Sequence, residues 1–262
     1  MTPRTVRLLI AYDGSNYQGW QRQRHGQTIQ NALEKRLTLL CNEPVTLHGA
    51  GRTDTGVHAL GMVAHFQTAT AIPVIAFFKG LNSMLPKDIR ILQAEEAPHD
   101  FHSRFSAQGK TYRYDFFTGA LQVPSDRLYR AHLPGTFDLD CLSSGLESII
   151  GTHDFSSFER TGSRDKNAVN GRGAIRTLFY ASGFPQLGCA DCWSLRLTGD
   201  GFLRQMVRII AGTLIEIGQG KHPTDKLAGI LAAKDRSKAG PTAPACGLFL
   251  EKIYYDVPFL KS

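Results

Sequence analysis

The sequence predicts an α+β protein made of two similar halves, with helices packed on one face of a mixed β-sheet. Short β-branched and apolar runs alternate with segments of helical period along the chain. Each half repeats the order strand, helix, strand, helix-containing connection, strand. The length of 262 residues, with 42% hydrophobic and 20% charged residues, suits one large domain or two smaller ones with a buried core.

The first half opens with residues 5–12 (TVRLLIAY), an apolar run that ends at the turn residues 13–16 and predicts a strand. Residues 28–41 predict an amphipathic helix, because four apolar side chains recur at helical spacing: Ile29, Leu33, Leu37 and Leu40. The remaining predicted elements are a strand at 45–48, a strand at 61–68, a helix at 73–82 that starts with Pro73, and a strand at 88–94.

The second half is expected to begin after residue 103, which gives domains at 1–103 and 104–262. Its predicted strands are 109–118, 174–181, 192–198 and 247–255, and its predicted helices are 138–150, 202–217 and 224–234. Residues 160–173 are polar, basic and glycine-bearing without any period, which predicts a mobile loop.

Charge and hydropathy narrow the class of partner. Thirty Lys and Arg against 23 Asp and Glu give a net charge of +7, and a basic surface favours a polyanionic partner. The apolar stretch 209–217 is broken by Gly212 and Glu216, and the N-terminal apolar run is too short for a signal peptide. We therefore expect a soluble, cytoplasmic protein with no membrane partner.

The five cysteines are an odd number in a chain without an export signal, which predicts reduced thiols. Cys189 and Cys192 form a C-x-x-C pair, but a structural zinc site needs a second such pair or a histidine pair. We therefore predict no metal site, and we interpret these cysteines as packing residues at the start of a strand.

The loop GAGRTDTGVHAL at residues 49–60 carries the most informative pattern in the chain. Its glycines do not match the dinucleotide-binding G-x-G-x-x-G spacing. The G-K-T at 109–111 has Arg104 where the P-loop pattern G-x-x-x-x-G-K-[ST] requires its first glycine, so no P-loop is predicted. The single D-T-G of the loop at 49–60 lacks the second carboxylate that an aspartic protease requires. Arg52 would also hold a carboxylate ionised and so oppose the shared-proton state of such a protease.

Two interpretations of this loop remain open from its spacing. Asp54 can be an ordinary turn residue beside a surface Arg52, since Asp and Gly are common in turns. Alternatively, Asp54 is a lone ionised carboxylate on a backbone that glycines allow to approach a ligand, which suits nucleophilic or base catalysis at a sugar carbon or a heterocycle.

Two further stretches favour an RNA ligand. Residues 17–24 combine Tyr17 and Trp20 with basic side chains, a mixture found on single-stranded RNA readers, although a solvated loop around one buried Trp fits equally well. Arg204 and Arg208 are four residues apart near the start of the predicted helix 202–217, where a phosphate or carboxylate would be attracted.

Seven blocks in the chain resemble the tRNA pseudouridine synthase A family. They are YDGSNYQGWQRQ at 12–23, GAGRTDTGVHA at 49–59, DFHSRFSA at 100–107, TYRY at 111–114, FLRQMVR at 202–208, AAKDR at 232–236 and ACGL at 245–248. The blocks stand in the family's order over nearly the whole chain, and together they are highly specific.

This resemblance implies the fold, the activity and the site. The implied fold is two ferredoxin-like halves, related by a pseudo-two-fold axis and sharing a mostly antiparallel sheet, with the active site in the cleft between them. The implied activity is isomerisation of uridine to pseudouridine at positions 38, 39 and 40 of the tRNA anticodon stem-loop, by a homodimer without a cofactor. The matching residues are Asp54 as the catalytic aspartate, and Arg52, Tyr112, Arg208 and Leu248 as substrate-binding residues.

Each of these residues takes a specific role from the resemblance. Tyr112 would pack against the target base, Arg208 would pair with the catalytic carboxylate, and Leu248 would line the base pocket. The chain departs from the common pattern at Thr55, where alanine is frequent, and at 204–205, where histidines are frequent. Neither departure affects the aspartate.

Overall fold

The structure is a computed structural model that describes residues 3–163 and 172–256. At Ser143 and Ser144 it describes the backbone alone. Most of the predicted loop 160–173 lies outside the described residues, so its role stays a prediction. No α-helix in the described part of the chain is both long enough and apolar enough to cross a membrane.

Ten strands and five α-helices lie within the described residues. The strands are β1 (Arg4–Tyr12), β2 (His48–Gly49), β3 (His58–Thr68), β4 (Ile89–Ala97), β5 (Gly109–Phe117), β6 (Ala131–His132), β7 (Gly151–Asp154), β8 (Ile175–Pro185), β9 (Cys192–Gly199) and β10 (Leu248–Tyr254). The helices are α1 (Ile29–Cys41), α2 (Val74–Met84), α3 (Ser143–Ser148), α4 (Met206–Gly218) and α5 (Lys226–Ala233). The predicted α+β class, with mostly antiparallel strands, is confirmed.

Residue contacts divide the chain into two units. The first unit runs to Gln108 and resumes at Phe249, and the second unit is Gly109–Leu248. The C-terminal strand β10 thus belongs mainly to the first unit. Whether the halves are separate folding domains, with the boundary we placed after residue 103, stays a prediction.

The sheet of the first unit has the strand order β4-β1-β3-β10. β1 pairs antiparallel with both β3 and β4, and β10 pairs in parallel with β3. The core is formed by fully buried side chains from β1, β3 and the two helices: Val6, Leu8, Ile10, Ile29, Leu33, Leu37, Phe66 and Phe77. The period-two and helical patterns read from the sequence therefore mark the buried faces correctly, except at Leu40, which is only half-buried.

The predicted strand at 45–48 is wrong except for its last residue. Only His48 and Gly49 pair with β3. Upstream, the Leu47 N–H donates to Glu34 Oε1 at 3.0 Å, and Gln30 Nε2 donates to the Leu47 carbonyl at 3.0 Å. Since side chains of α1 satisfy both backbone groups, this buried residue needs no strand partner.

The sheet of the second unit has the antiparallel order β5-β9-β8-β7, with β6 parallel to β5. α4 is buried along most of its length. A Cβ at Gly212 of α4 would lie 2.0 Å from the Pro241 carbonyl oxygen, so only glycine permits this packing. In place of the helix predicted at 138–150, the structure has a 3₁₀ turn followed by the short helix α3. Leu142, Leu146 and Ile149 are buried, as expected.

The prediction of five reduced cysteines is wrong at one pair. Cys189 and Cys192 are joined by a disulfide. The turn between β8 and β9 brings their Cα atoms to 5.3 Å, a separation that a disulfide spans. Cys41, Cys141 and Cys246 are free thiols.

Candidate functional site

The predicted site residues are divided between the two units. Arg52 and Asp54 share the loop between β2 and β3 in the first unit. Tyr112 on β5, Arg208 on α4 and Leu248 at the start of β10 belong to the second unit.

Asp54 opens a tight turn. The Val57 N–H donates to the Asp54 carbonyl at 3.2 Å, and Gly56 has a φ of +76°, which is strained for any residue with a Cβ. Asp54 is half-buried, whereas Arg52 is exposed. The interpretation of this loop as a turn is correct for the backbone, which the turn hydrogen bond and the left-handed Gly56 constrain at Asp54.

Thr53 anchors the loop next to the aspartate. Its Oγ1 lies 2.8 Å from the Tyr12 hydroxyl in a buried hydrogen bond, and its carbonyl accepts from the Trp20 N–H at 3.1 Å. Tyr12 follows a register irregularity in β1, and such bulges often re-aim a side chain at a functional site. With both its side chain and its carbonyl held, Thr53 limits the movement of Asp54.

Glycines allow the N-terminal block to lie directly against this loop. A Cβ at Gly14 would lie 2.0 Å from the Val57 carbonyl oxygen, and a Cβ at Gly19 would lie 2.4 Å from the Thr53 carbonyl oxygen. A Cβ at Gly49 would lie 2.5 Å from the Trp20 ring. The block 12–23 and the aspartate loop therefore form one packed substructure.

The expectation that Tyr17 and Trp20 offer stacking faces to RNA is not supported. Tyr17 is 4% exposed and Trp20 is 3% exposed. The Tyr17 hydroxyl donates to Asp88 Oδ1 at 2.7 Å, and its carbonyl accepts from the Gly56 N–H at 3.4 Å. Both residues pack against the aspartate loop.

His58 closes the other end of the turn. Its ring is buried, stacks on Phe249 at 4.7 Å, and accepts at Nδ1 from the Gly14 N–H at 3.1 Å. Asp13 Oδ1 lies 3.2 Å from the same nitrogen. These contacts hold the start of β3 and thus the exit of the aspartate loop.

A histidine cluster lies beside the entrance of this loop. The ring of His65 stacks on His48 at 5.1 Å and meets His102 edge-on at 4.7 Å. The buried Ser103 donates through its N–H to His65 Nδ1 at 3.1 Å and through its hydroxyl to the His48 carbonyl at 2.6 Å. Burial, and then the positive charges of His102 and His48, lower the pKa of His65 to about 4.

This lowered pKa makes stability depend on pH. As pH falls from about 6.5 to about 4, unfolded chains bind a proton at His65 that the folded chain does not. The melting temperature should therefore fall over this window. His65→Asn, whose Oδ1 takes the place of Nδ1 as acceptor for the Ser103 N–H, should show a shallower fall. Thermal melts followed by circular dichroism at several pH values test this, and identical profiles would contradict it.

In the second unit, Tyr112 is 8% exposed and its ring meets Phe202 edge-on at 5.0 Å. Tyr112 pairs with Leu197 in the β5–β9 ladder. The strand ladder fixes the Tyr112 backbone, and the contact with Phe202 restricts the orientations of its ring.

Arg208 is tied to the segment after the 3₁₀ turn at 236–238. Its Nε donates to the Ala243 carbonyl at 2.7 Å, and its own carbonyl accepts from the Ala243 N–H at 3.1 Å. These two bonds fix Arg208 against this segment. Burial raises the pKa of the nearby Cys246 thiol, and the charge of Arg208 partly offsets this rise.

Leu248 is positioned by the glycine before it. A Cβ at Gly247 would lie 2.4 Å from the Asp115 carbonyl oxygen and 3.0 Å from the Tyr114 ring. The Tyr114 hydroxyl donates to the Pro244 carbonyl at 2.9 Å, which holds the same segment from its other end. Leu248 is buried as a result.

The placement of Arg204 on one helical face with Arg208 is wrong. α4 begins at Met206, and Gln205 before it has a φ of +62°. Arg204 therefore lies in the preceding turn, where it is exposed and its carbonyl accepts from the Arg160 N–H at 3.1 Å. The left-handed Gln205 breaks the helical spacing between the two arginines, so they do not share one face of α4. Binding of an anion by these arginines stays a prediction.

Tyr12 and Thr53 are the functional candidates that sequence reasoning missed. Both lie inside recognised blocks, but nothing in the local pattern links residues so far apart in the chain. For metals, the described part of the chain holds no group of three or more His, Cys, Asp or Glu side chains arranged to bind an ion.

Comparisons with known proteins agree with the sequence resemblance. A family model described as tRNA pseudouridine synthase matches residues 8–106 and 146–256. The chain is 50% identical to tRNA pseudouridine synthase A 1 of Desulfotalea psychrophila, over 96% of this chain and 100% of that protein. It is 43% identical to tRNA pseudouridine synthase A of Geotalea uraniireducens, also over 96% of this chain and 100% of that protein. It is 42% identical to tRNA pseudouridine synthase A 2 of Clostridium tetani, over 97% of this chain and 99% of that protein.

Proposed function

The chain belongs to the tRNA pseudouridine synthase family, and on that premise we propose that it isomerises uridine to pseudouridine at positions 38, 39 and 40 of the tRNA anticodon stem-loop. The observation that carries the proposal is the similarity to proteins named tRNA pseudouridine synthase A, which spans nearly the full length of this chain and of each relative. We further propose that the enzyme is a cytoplasmic homodimer.

Asp54 is the proposed catalytic residue. The reaction breaks the N1–C1′ bond of uridine, rotates the base and joins C5 to C1′, while the hydrogen on C5 leaves as a proton and N1 gains one. The reaction involves no net redox change and consumes no phosphate, so the proposal requires no cofactor. An ionised Asp54 either adds to C1′ or removes a proton from C2′ to give a glycal intermediate.

The constrained loop supports this role. Catalysis needs a carboxylate whose position changes little between the free and bound enzyme, because even a 1 Å displacement can cost a large factor in rate. The hydrogen bonds of Thr53 to Tyr12 and Trp20 provide that constraint. Arg52, which is exposed on the same loop, is the proposed contact for a phosphate of the RNA.

Tyr112, Arg208 and Leu248 are the proposed substrate-binding residues of the second unit. A uridine in the stem must leave the base stack at a cost of a few kcal/mol. Contact between the base and the Tyr112 ring returns about 1–3 kcal/mol of this cost. Arg208 contributes a fixed positive charge, and the apolar side chain of Leu248 suits a surface against the base.

Mapping of pseudouridine on unmodified tRNA transcripts tests the proposed positions. After incubation with the purified protein, carbodiimide labelling and primer extension should stop reverse transcriptase one nucleotide before positions 38, 39 or 40, whichever carry uridine. Transcripts with cytidine at these positions serve as the control and should give no stop. Modification at other positions alone would contradict the proposed substrate site.

A further inference from the structure

Outside the site already described, Phe105 is an aromatic side chain that the fold leaves open to solvent. It is 76% exposed, whereas Phe66 and Phe77 in the same unit are fully buried. Exposing so much of an aromatic ring forgoes the free energy that burial would supply, which is about 25 cal/mol per Å². Aromatic residues are enriched in binding interfaces, so an exposed aromatic ring on a fixed loop suits a binding surface.

The loop that carries Phe105 is well fixed. The N–H groups of Arg104 and Phe105 both donate to His102 Nδ1, at 3.1 and 3.2 Å. The Ser106 N–H donates to the His102 carbonyl at 2.9 Å, and the buried Ser103 is held by His65 and by the Tyr255 hydroxyl, which donates to the Ser103 carbonyl at 2.7 Å. The ring is therefore presented by a hydrogen-bonded turn and not by a loose loop.

Three side chains around Phe105 give the surface its chemistry. The His102 ring lies 4.2 Å from the Phe105 ring with a tilt of 34°, and the Arg104 guanidinium lies 5.7 Å from its centroid. His48 is exposed, and its ring lies 5.7 Å from that of His102. We call these four residues, His48, His102, Arg104 and Phe105, the aromatic–basic surface.

The aromatic–basic surface lies next to the proposed catalytic loop. His48 directly precedes Gly49, the first glycine of that loop, and His48 and Gly49 together form β2. Ser103 lies between His102 and Arg104 in the chain, and its hydroxyl donates a hydrogen bond to the His48 carbonyl. The aromatic–basic surface therefore belongs to the same unit as Asp54, and an RNA strand bound to it would contact residues that adjoin the catalytic loop.

An aromatic ring beside a guanidinium suits one class of ligand particularly well. Unpaired nucleobases stack on aromatic rings, and arginine binds the adjoining phosphate or stacks on the same base. We infer that the aromatic–basic surface binds an unpaired nucleotide of the tRNA, with its base on Phe105 and its phosphate on Arg104. This inference rests on the proposed function, because it assumes that tRNA is the substrate.

The test compares tRNA binding by Phe105→Ala, Phe105→Trp and the wild type. Phe105→Ala should raise the Kd for an unmodified tRNA about 5–150-fold, as loss of one stacking contact predicts. Phe105→Trp keeps a ring and should bind within about twofold of the wild type. Leu187→Ala is the matched control, because Leu187 is a fully exposed apolar side chain at a turn of the other unit, and it should bind like the wild type.

Two further readouts identify the contact as an RNA base and phosphate. An RNA hairpin with 2-aminopurine in its loop should lose fluorescence on binding to the wild type, and this quenching should be smaller with Phe105→Ala. Arg104→Gln should weaken binding of all sequences and reduce the slope of log Kd against log salt concentration by about one.

The outcomes separate this inference from the proposed function. A wild type that modifies tRNA while Phe105→Ala binds equally tightly would overturn the inference alone. A wild type that neither binds nor modifies tRNA would overturn the proposed function as well. If sedimentation shows that Phe105→Ala disrupts self-association without RNA, the surface contacts a protein copy and the RNA inference is overturned.

Discussion

Replacing Asp54 by Asn is expected to reduce pseudouridine formation by more than about 10³-fold while leaving tRNA affinity within a few-fold of the wild type. The amide has nearly the same shape as the carboxylate but can neither add to C1′ nor accept a proton from C2′. Affinity should persist because most of it comes from phosphate contacts elsewhere. Single-turnover modification assays and filter binding on the same tRNA measure the two quantities.

A matched control distinguishes the loss of this carboxylate from a general loss of negative charge. Asp140→Asn removes an exposed carboxylate in the second unit and should leave both turnover and binding unchanged. The thermal melting temperature of Asp54→Asn should also match that of the wild type, since Asp54 is only half-buried. Equal losses of binding and turnover in Asp54→Asn would contradict a catalytic role.

Gly19→Ala is expected to damage both stability and catalysis. Gly19 has a φ of +85°, where a Cβ costs about 1–2 kcal/mol, and that Cβ would lie 2.4 Å from the Thr53 carbonyl oxygen. Backbone must move to relieve the contact, and Thr53 is the residue that anchors Asp54. We expect the melting temperature to fall by roughly 5–10 °C and kcat by about 100-fold.

Gly188→Ala separates the two causes of this effect. Gly188 also has a positive φ, +80°, but a Cβ there would meet nothing within 4 Å. This variant should carry only the conformational cost of about 1–2 kcal/mol and keep full turnover. If Gly19→Ala lowers the melting temperature no more than Gly188→Ala and keeps wild-type kcat, the contact with Thr53 does not position the aspartate.

Local patterns in the sequence predicted most of the fold because burial follows strand and helix period. Leu8 and Ile10 alternate inward on β1, and Leu33 and Leu37 share the buried face of α1, as expected. The errors occur where a contact distant in sequence decides the outcome. Leu47 is satisfied by the side chains of Gln30 and Glu34, which local periodicity does not reveal.

The same limit applies to the site. The block around Asp54 identifies the loop through its glycines and its paired charges, and the structure places both Arg52 and Asp54 on it. Tyr12, Trp20 and Gly19 support this loop through contacts with Thr53, and these residues are far from it in the chain. No feature of the sequence predicted the left-handed conformation of Gln205, since a non-glycine residue at positive φ is uncommon.

Release of tritium from uridine C5 tests the central claim most directly. A tRNA transcript labelled at C5 would be incubated with the wild type and with Asp54→Asn, in EDTA and without added cofactor. Joining C5 to C1′ expels this hydrogen to water, so the wild type should release tritium and Asp54→Asn should release almost none. Release that is equal in both proteins, or absent from the wild type on tRNAs that it binds, would contradict isomerisation of uridine by Asp54.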